Sequence, residues 1–250
     1  MSRRTTAIAS SLSFLAIGSM LISACANPEM IKFNNSAKTK YMQGDYQGAI
    51  SDYNKVLELD PQDSSALDNR ASSKYQLGDY QGALADSDKS LKINPQSFIA
   101  LSNRGTSRVA LKDYQGALAD YSEAIAINPK DSAAYASRCP VKRMLKDYRG
   151  AIADCSKAVA INPQDAVSYN NRGASNDALK KYKEAIADYK KAIQINPQYG
   201  RAYSNIGVSK YYVTGDAESS CKDFKKSALL GYEYRINWLS SEEGKWCRDM

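Results

Sequence analysis

Two sets of residues in this chain could do chemistry by their types and spacing. Asp52, Asp86, Asp120, Asp154 and Asp188 are carboxylates 34 residues apart, and Arg70, Arg104, Arg138 and Arg172 are guanidinium groups at the same period. Two acids isolated in a cleft can divide the work of proton transfer, whereas carboxylates matched to arginines make bidentate ion pairs. A regular ladder favours pairing, because catalysis needs two acids together and not five at equal intervals. Whether a pair would close within one unit or across a junction stays open at this point. The sequence holds no histidine, which removes imidazole metal ligands, Ser–His and Cys–His nucleophile pairs and the commonest general acid–base. It also shows no cofactor loop, nucleophile motif or CxxC pair. Neither cofactor, metal nor small-molecule substrate is therefore expected, and the chain reads as no enzyme.

The remaining chemistry belongs to five cysteines: Cys25, Cys139, Cys155, Cys221 and Cys247. Cys25 closes a leader, residues 1–29, in which Arg3 and Arg4 precede an apolar run from Ala7 to Ile22 and then small residues. A charged start, apolar middle and small-residue end make an export signal. Ile22, Ser23, Ala24 and Cys25 resemble the lipobox of bacterial lipoproteins, which implies acylation at Cys25, a membrane anchor and, with no aspartate after the cysteine, sorting to an outer membrane. Ala24, Cys25 and Ala26 fit equally a cut after Ala26, giving a periplasmic protein. Either way four cysteines remain in an oxidising compartment, where disulfides form. Three connectivities are possible. Cys221 with Cys247 would staple the tail to the last unit, and Cys139 with Cys155 would join paired helices of one unit. Small buried fillers are the other reading, above all for the second pair.

These residues are positioned by a repeat. Asp60–Pro61, Asn94–Pro95, Asn128–Pro129, Asn162–Pro163 and Asn196–Pro197 recur every 34 residues, and Tyr46, Tyr80, Tyr114, Tyr148 and Tyr182 keep the same period. The units run 30–63, 64–97, 98–131, 132–165, 166–199 and 200–232, followed by a tail, 233–250. Apolar residues at helical spacing, such as Leu118, Tyr121 and Ile125, predict two amphipathic helices per unit. Asp45, Asp79, Asp113 and Asp147 are placed to cap the second helix, Gly44 and Gly78 to end the first, and each proline to stop the unit. Gly105, Gly173 and Gly207 in first helices, with Ala49, Ala83, Ala117, Ala151 and Ala185 in second helices, allow close approach. Phe33, Tyr135, Tyr169 and Tyr203 are expected to fill the space between units.

This pattern resembles the tetratricopeptide repeat over residues 30 to 232. The resemblance implies an all-α solenoid of about six helix–turn–helix units whose first helices line a concave groove for peptides or helices of other proteins. On that template the groove positions are Asn34, Lys38, Tyr41, Asp68, Ser72, Tyr75, Ser102, Thr106, Arg143, Asn170, Arg201, Val208 and Tyr211.

Departures from the pattern carry expectations of their own. Pro140 follows Cys139 in the first helix of the fourth unit and predicts a kink or a shortened helix. Trp238 and Trp246 in the tail are expected to cover the apolar face left by the last unit, the alternative being an exposed aromatic docking site. Charges alternate in sign under a net charge of +7, with no aromatic-basic platform, so nucleic acid is not an expected partner. The reading is a protein-binding scaffold of the cell envelope, with self-association of the solenoid and, less favoured, an enzyme using paired carboxylates as alternatives.

Overall fold

The structure, a computed structural model, describes residues 27–250; residues 1–26 of the leader, Cys25 among them, lie outside the described residues. Asp45, Asp79, Asp113 and Asp147 each accept a hydrogen bond at 2.8–2.9 Å from the amide three residues on, fixing the start of a second helix. Those helices are α2 (Tyr46–Leu59), α4 (Tyr80–Ile93), α6 (Tyr114–Ile127) and α8 (Tyr148–Ile161), with α10 (Tyr182–Ile195) and α12 (Ala217–Leu229) completing the set. The first helices are α1 (Pro28–Met42), α3 (Ser64–Gln76), α5 (Phe98–Ala110), α7 (Ser132–Met144), α9 (Ala166–Ala178) and α11 (Gly200–Thr214). Helix α1 begins two residues before the expected unit boundary, because Asn27 caps it by accepting from the Glu29 amide at 3.0 Å. Each of α2, α4, α6, α8 and α10 ends at an Asp or Asn in extended backbone, as a residue before proline must be.

Between the two helices of a unit the chain reverses through a left-handed residue. Gly44 and Gly78 take φ +81°, but Lys112, Lys146 and Lys180 occupy the equivalent places at φ 65°, 63° and 60°. A lysine there carries a Cβ penalty that glycine escapes. Lys112→Gly should therefore raise the unfolding free energy by about 1 kcal/mol, read as a higher urea midpoint; an unchanged or lower midpoint would show that the turn is not strained.

Each helix packs on the next, and the first helices also meet across units, α3 with α5, α5 with α7, α7 with α9 and α9 with α11. That extra contact places them on the inner face of the curve. Ala49, Ala83, Ala117, Ala151 and Ala185 are fully buried where second helices meet first ones. At the centre of a unit a small first-helix residue faces an aromatic of the second helix. A Cβ on Gly105, Gly173 or Gly207 would come within 3.0, 2.7 and 2.5 Å of the rings of Tyr121, Tyr189 and Phe224. The buried aromatics are thus Tyr53, Tyr121, Tyr189 and Phe224. Phe33, Tyr135 and Tyr169 lie half-buried under cations, with Lys55, Arg138 and Arg172 at 4.8, 5.8 and 5.3 Å from the ring centres.

In the fourth unit the small–aromatic pair becomes Cys139 and Cys155, joined as a disulfide between α7 and α8 with Cα atoms 5.5 Å apart. Helix α7 nevertheless runs through Pro140 and keeps the 13 residues of α3, α5 and α9, so the expected shortening does not occur. The proline removes one amide donor, while packing of α7 against α8 and α9 and the crosslink next to it hold the helix together.

After unit six, α13 (Glu233–Ser240) and α14 (Lys245–Arg248) pack against α12. A second disulfide, Cys221 with Cys247, ties α14 to α12 with Cα atoms 5.4 Å apart. Trp238 meets Phe224 edge-on at 5.2 Å and Trp246 at 6.0 Å. Arg235 is buried beneath them, 3.8 Å from the Phe224 ring centre, and donates to Ser204. Trp238 packs on the last unit through Phe224 while Trp246 stays 40% exposed. Among the described residues no helix is long and apolar enough to cross a membrane.

Candidate functional site

The carboxylate–arginine ladder closes in both ways at once. Arg70 donates through Nε and Nη2 to Asp86 at 2.8 and 2.7 Å, and Arg138 to Asp154 at 2.8 Å twice, each within its own unit. Arg104–Asp120 and Arg172–Asp188 repeat this fork. The remaining Nη1 of each arginine reaches back to the second helix of the preceding unit, to Asn54, Asp88, Ser122 and Ser156 at 2.7, 2.9, 3.0 and 3.2 Å. One side chain therefore builds the unit and joins it to its neighbour. Ser36 stands at the arginine position of the first unit and gives its hydroxyl to Asp52 at 2.6 Å.

A second donor, four residues after the arginine, was not read from the sequence. Lys40, Lys74, Arg108 and Lys142 reach Asp52, Asp86, Asp120 and Asp154 at 2.6, 2.7, 2.7 and 2.8 Å. Asn176 serves Asp188 at 3.2 Å, and Lys210 serves Asp223 at 2.6 Å. One helical turn separates the two donors, so the i, i+4 spacing on the first helix was the signal. Burial alone would raise the Asp52 carboxyl, but hydrogen bonds from Lys40 and Ser36 hold it below its ordinary value. All five ladder carboxylates are buried, and each accepts from donors of its own unit's first helix, which is the arrangement of a strut.

The thirteen groove positions fall into three places. Lys38, Tyr41 and Ser72 line a cavity of about 340 Å³ with Met42, Tyr53 and Asn69. Tyr41, Ser72, Tyr75 and Thr106 line an adjoining one of about 200 Å³ with Ala71, Gln76 and Asn103. These two cavities form one concave surface over α1, α3 and α5, and Asn34 lies on α1 outside both. Burial holds the Tyr53 hydroxyl up at about 12, so it stays neutral. At the other end Val208 and Tyr211 are exposed on α11, Tyr211 edge-on to Tyr212 at 6.4 Å.

Several assigned positions are not free to meet a ligand. Asp68 is buried, accepts from Ser97 at 3.1 Å and has its carboxyl pushed up by burial. Asn170 is buried and accepts from Asn205 of the next first helix at 3.0 Å. The Ser102 hydroxyl and the Arg143 Nε are buried and lack a hydrogen-bond partner among the described residues, so burial and not pairing withholds them. Arg201 turns to the loop after α12, where it lies 5.8 Å from the Tyr232 ring centre. Sequence reasoning in turn missed Asn69, Gln76 and Asn103, whose amides line the cavities. Asn69 and Asn103 each precede a ladder arginine by one residue, and that spacing could have marked them.

Family models described as tetratricopeptide repeat match residues 33–63, 69–132 and 166–199. A comparison with curated proteins found no match. Among similar solved structures is a tetratricopeptide repeat protein from Parabacteroides merdae, 25% identical with a TM-score of 0.65, covering 89% of this chain and 86% of that one. YrrB, described as a TPR protein with an unusual peptide-binding site, is 18% identical with a TM-score of 0.60, over 76% of this chain and 98% of that one. Pseudomonas aeruginosa pilF is 17% identical with a TM-score of 0.71, over 88% and 97%. The likeness to the last two is one of fold. With repeat length, caps, small–aromatic pairs and three family matches in agreement, the chain belongs to the tetratricopeptide repeat family.

Proposed function

We propose that this chain is a non-catalytic scaffold that holds a peptide or helix of a partner protein along α1, α3 and α5, in the cell envelope and anchored there through Cys25. The observation that carries the reading is the pair of adjoining cavities on the inner face, where Lys38, Tyr41, Ser72, Tyr75 and Thr106 converge with three side-chain amides. Tyrosines and amides in a concave surface offer stacking and hydrogen bonds to an extended segment. The peptide-binding site for which YrrB is described supports the same use of this fold. The leader and the lipobox-like Cys25 support export and anchoring.

A photo-crosslinking residue at Lys38, on the groove, is expected to capture a discrete partner, while one at the exposed Lys89 of α4 is not. The same products from both positions, or none from Lys38, would sink the groove reading. For the anchor, Cys25→Ala should move the protein from the membrane to the soluble fraction; retention in the membrane would remove the lipidation part alone.

A further inference from the structure

Tyr121 has a defined seat in the third unit. Its ring lies against Gly105, where a Cβ would stand 3.0 Å from the ring, and its hydroxyl shares a 2.8 Å hydrogen bond with Thr106. Ser137 and Tyr75 lie close enough to that hydroxyl to influence its titration. Gly105, Thr106, Ser137 and Tyr75 therefore surround one phenol. Shifted by one 34-residue period toward the N terminus, these four positions are Ala71, Ser72, Asn103 and Tyr41.

The shifted phenol is missing. The residue 34 before Tyr121 is Ser87, whose hydroxyl turns back to the Ala83 carbonyl of its own helix at 2.9 Å. All four shifted residues line a single cavity of about 200 Å³. Second helices of the first, third and fifth units fill the equivalent place with Tyr53, Tyr121 and Tyr189. The second unit alone keeps the surroundings of a tyrosine and supplies none.

We infer that this cavity receives an aromatic side chain, tyrosine or phenylalanine, projecting from a partner peptide that lies along α1, α3 and α5. The inference rests on the groove reading above and names the chemistry that reading leaves open. The cavity is smaller than the roughly 300–1,000 Å³ of pockets for drug-sized ligands, which suits one side chain. Its lining is uncharged, all hydroxyl, amide, phenol and methyl, so a carboxylate or ammonium group would lose its hydration without a partner there. Ser72 donates to Asn103 at 3.3 Å, and this soft, long bond can be exchanged for one to an incoming hydroxyl or peptide group.

The test uses the full chain and three probes, acetyl-Ala-Tyr-Ala-amide, acetyl-Ala-Phe-Ala-amide and acetyl-Ala-Ala-Ala-amide, titrated while amide NMR shifts are followed. Both aromatic peptides should move the amides of Ala71, Ser72 and Asn103, and trialanine should not. Ser87→Tyr, which returns the phenol from inside, should weaken aromatic binding at least tenfold; Ser72→Phe, which narrows the half-buried mouth, should do the same if the first variant misfolds. Aromatic peptides that bind no better than trialanine, or equally well to both variants, overturn the inference. If the Lys38 crosslink survives while the tripeptides fail, the cavity assignment falls and the groove stands. Tripeptide binding without any Lys38 crosslink supports the cavity and removes the groove reading.

Discussion

Asp120→Ala is expected to lower the unfolding free energy by about 3–5 kcal/mol, the range for removing one partner of a buried ion pair. The carboxylate is 2% exposed and takes Nε and Nη2 of Arg104 and Nη1 of Arg108. Removing it leaves two guanidinium groups half-buried against one another with no anion between them. The damage does not stop at the third unit, because Arg104 also holds Asp88 of the second at 2.9 Å. In a stacked array stability is a sum of units and their junctions, and this change weakens one unit and one junction together. Asp113→Ala, which removes an exposed helix cap, should cost only about 1 kcal/mol. Guanidinium denaturation of the three proteins decides the matter: equal midpoints for the two variants would mean that the ladder is ornamental.

The second large effect is expected at the Cys139–Cys155 crosslink. Replacing both cysteines with alanine should cost about 3 kcal/mol, since the bridge closes a sequence separation of 16 residues in the unfolded chain. A structural reason adds to the entropic one. The pair stands where other units place glycine against tyrosine, and two alanines would leave that volume unfilled. It also neighbours Pro140, so α7 would lose its covalent tie next to its missing hydrogen bond. Cys139→Gly with Cys155→Tyr restores the pairing of the third and fifth units and should recover part of the loss without any sulfur. Thermal melts of the two double variants, with and without a dithiol reductant, make the comparison. Identical melting temperatures would show that the bridge, and not the filling of the site, sets stability here.

The period exposed most of the fold to sequence reasoning, because caps, breakers and small residues act locally and each leaves its own residue type at its own position. Asp113, Pro129 and Gly105 could be read one at a time. The ladder was visible as a list of positions but not as a set of bonds, since a guanidinium group has three nitrogens and the sequence does not say which helix each faces. The groove was harder still. The resemblance to the tetratricopeptide repeat put Asp68 and Asn170 on the inner face, yet whether an inner-face residue meets solvent depends on the next first helix. Ser97 covers Asp68, and Asn205 covers Asn170. Ser87 was in plain view as a polar residue at a core position, and its meaning required the structure, because a missing side chain is only a cavity if the neighbours fail to close over it.

The backward reach of each arginine has a consequence for how such a chain can grow. The four junctions from the first unit to the fifth have their donor in the later unit and their acceptor in the earlier one, so a copy of the second, third or fourth unit in tandem brings a donor at its front and an acceptor at its back and re-forms both joints. The ends break this rule. Ser36 gives its hydroxyl to Asp52 of its own unit, and between the fifth and sixth units the acceptor position is Lys190 while the donor position is Ile206. Duplication of the second, third or fourth unit thus copies a working joint, whereas duplication of the first or the fifth does not.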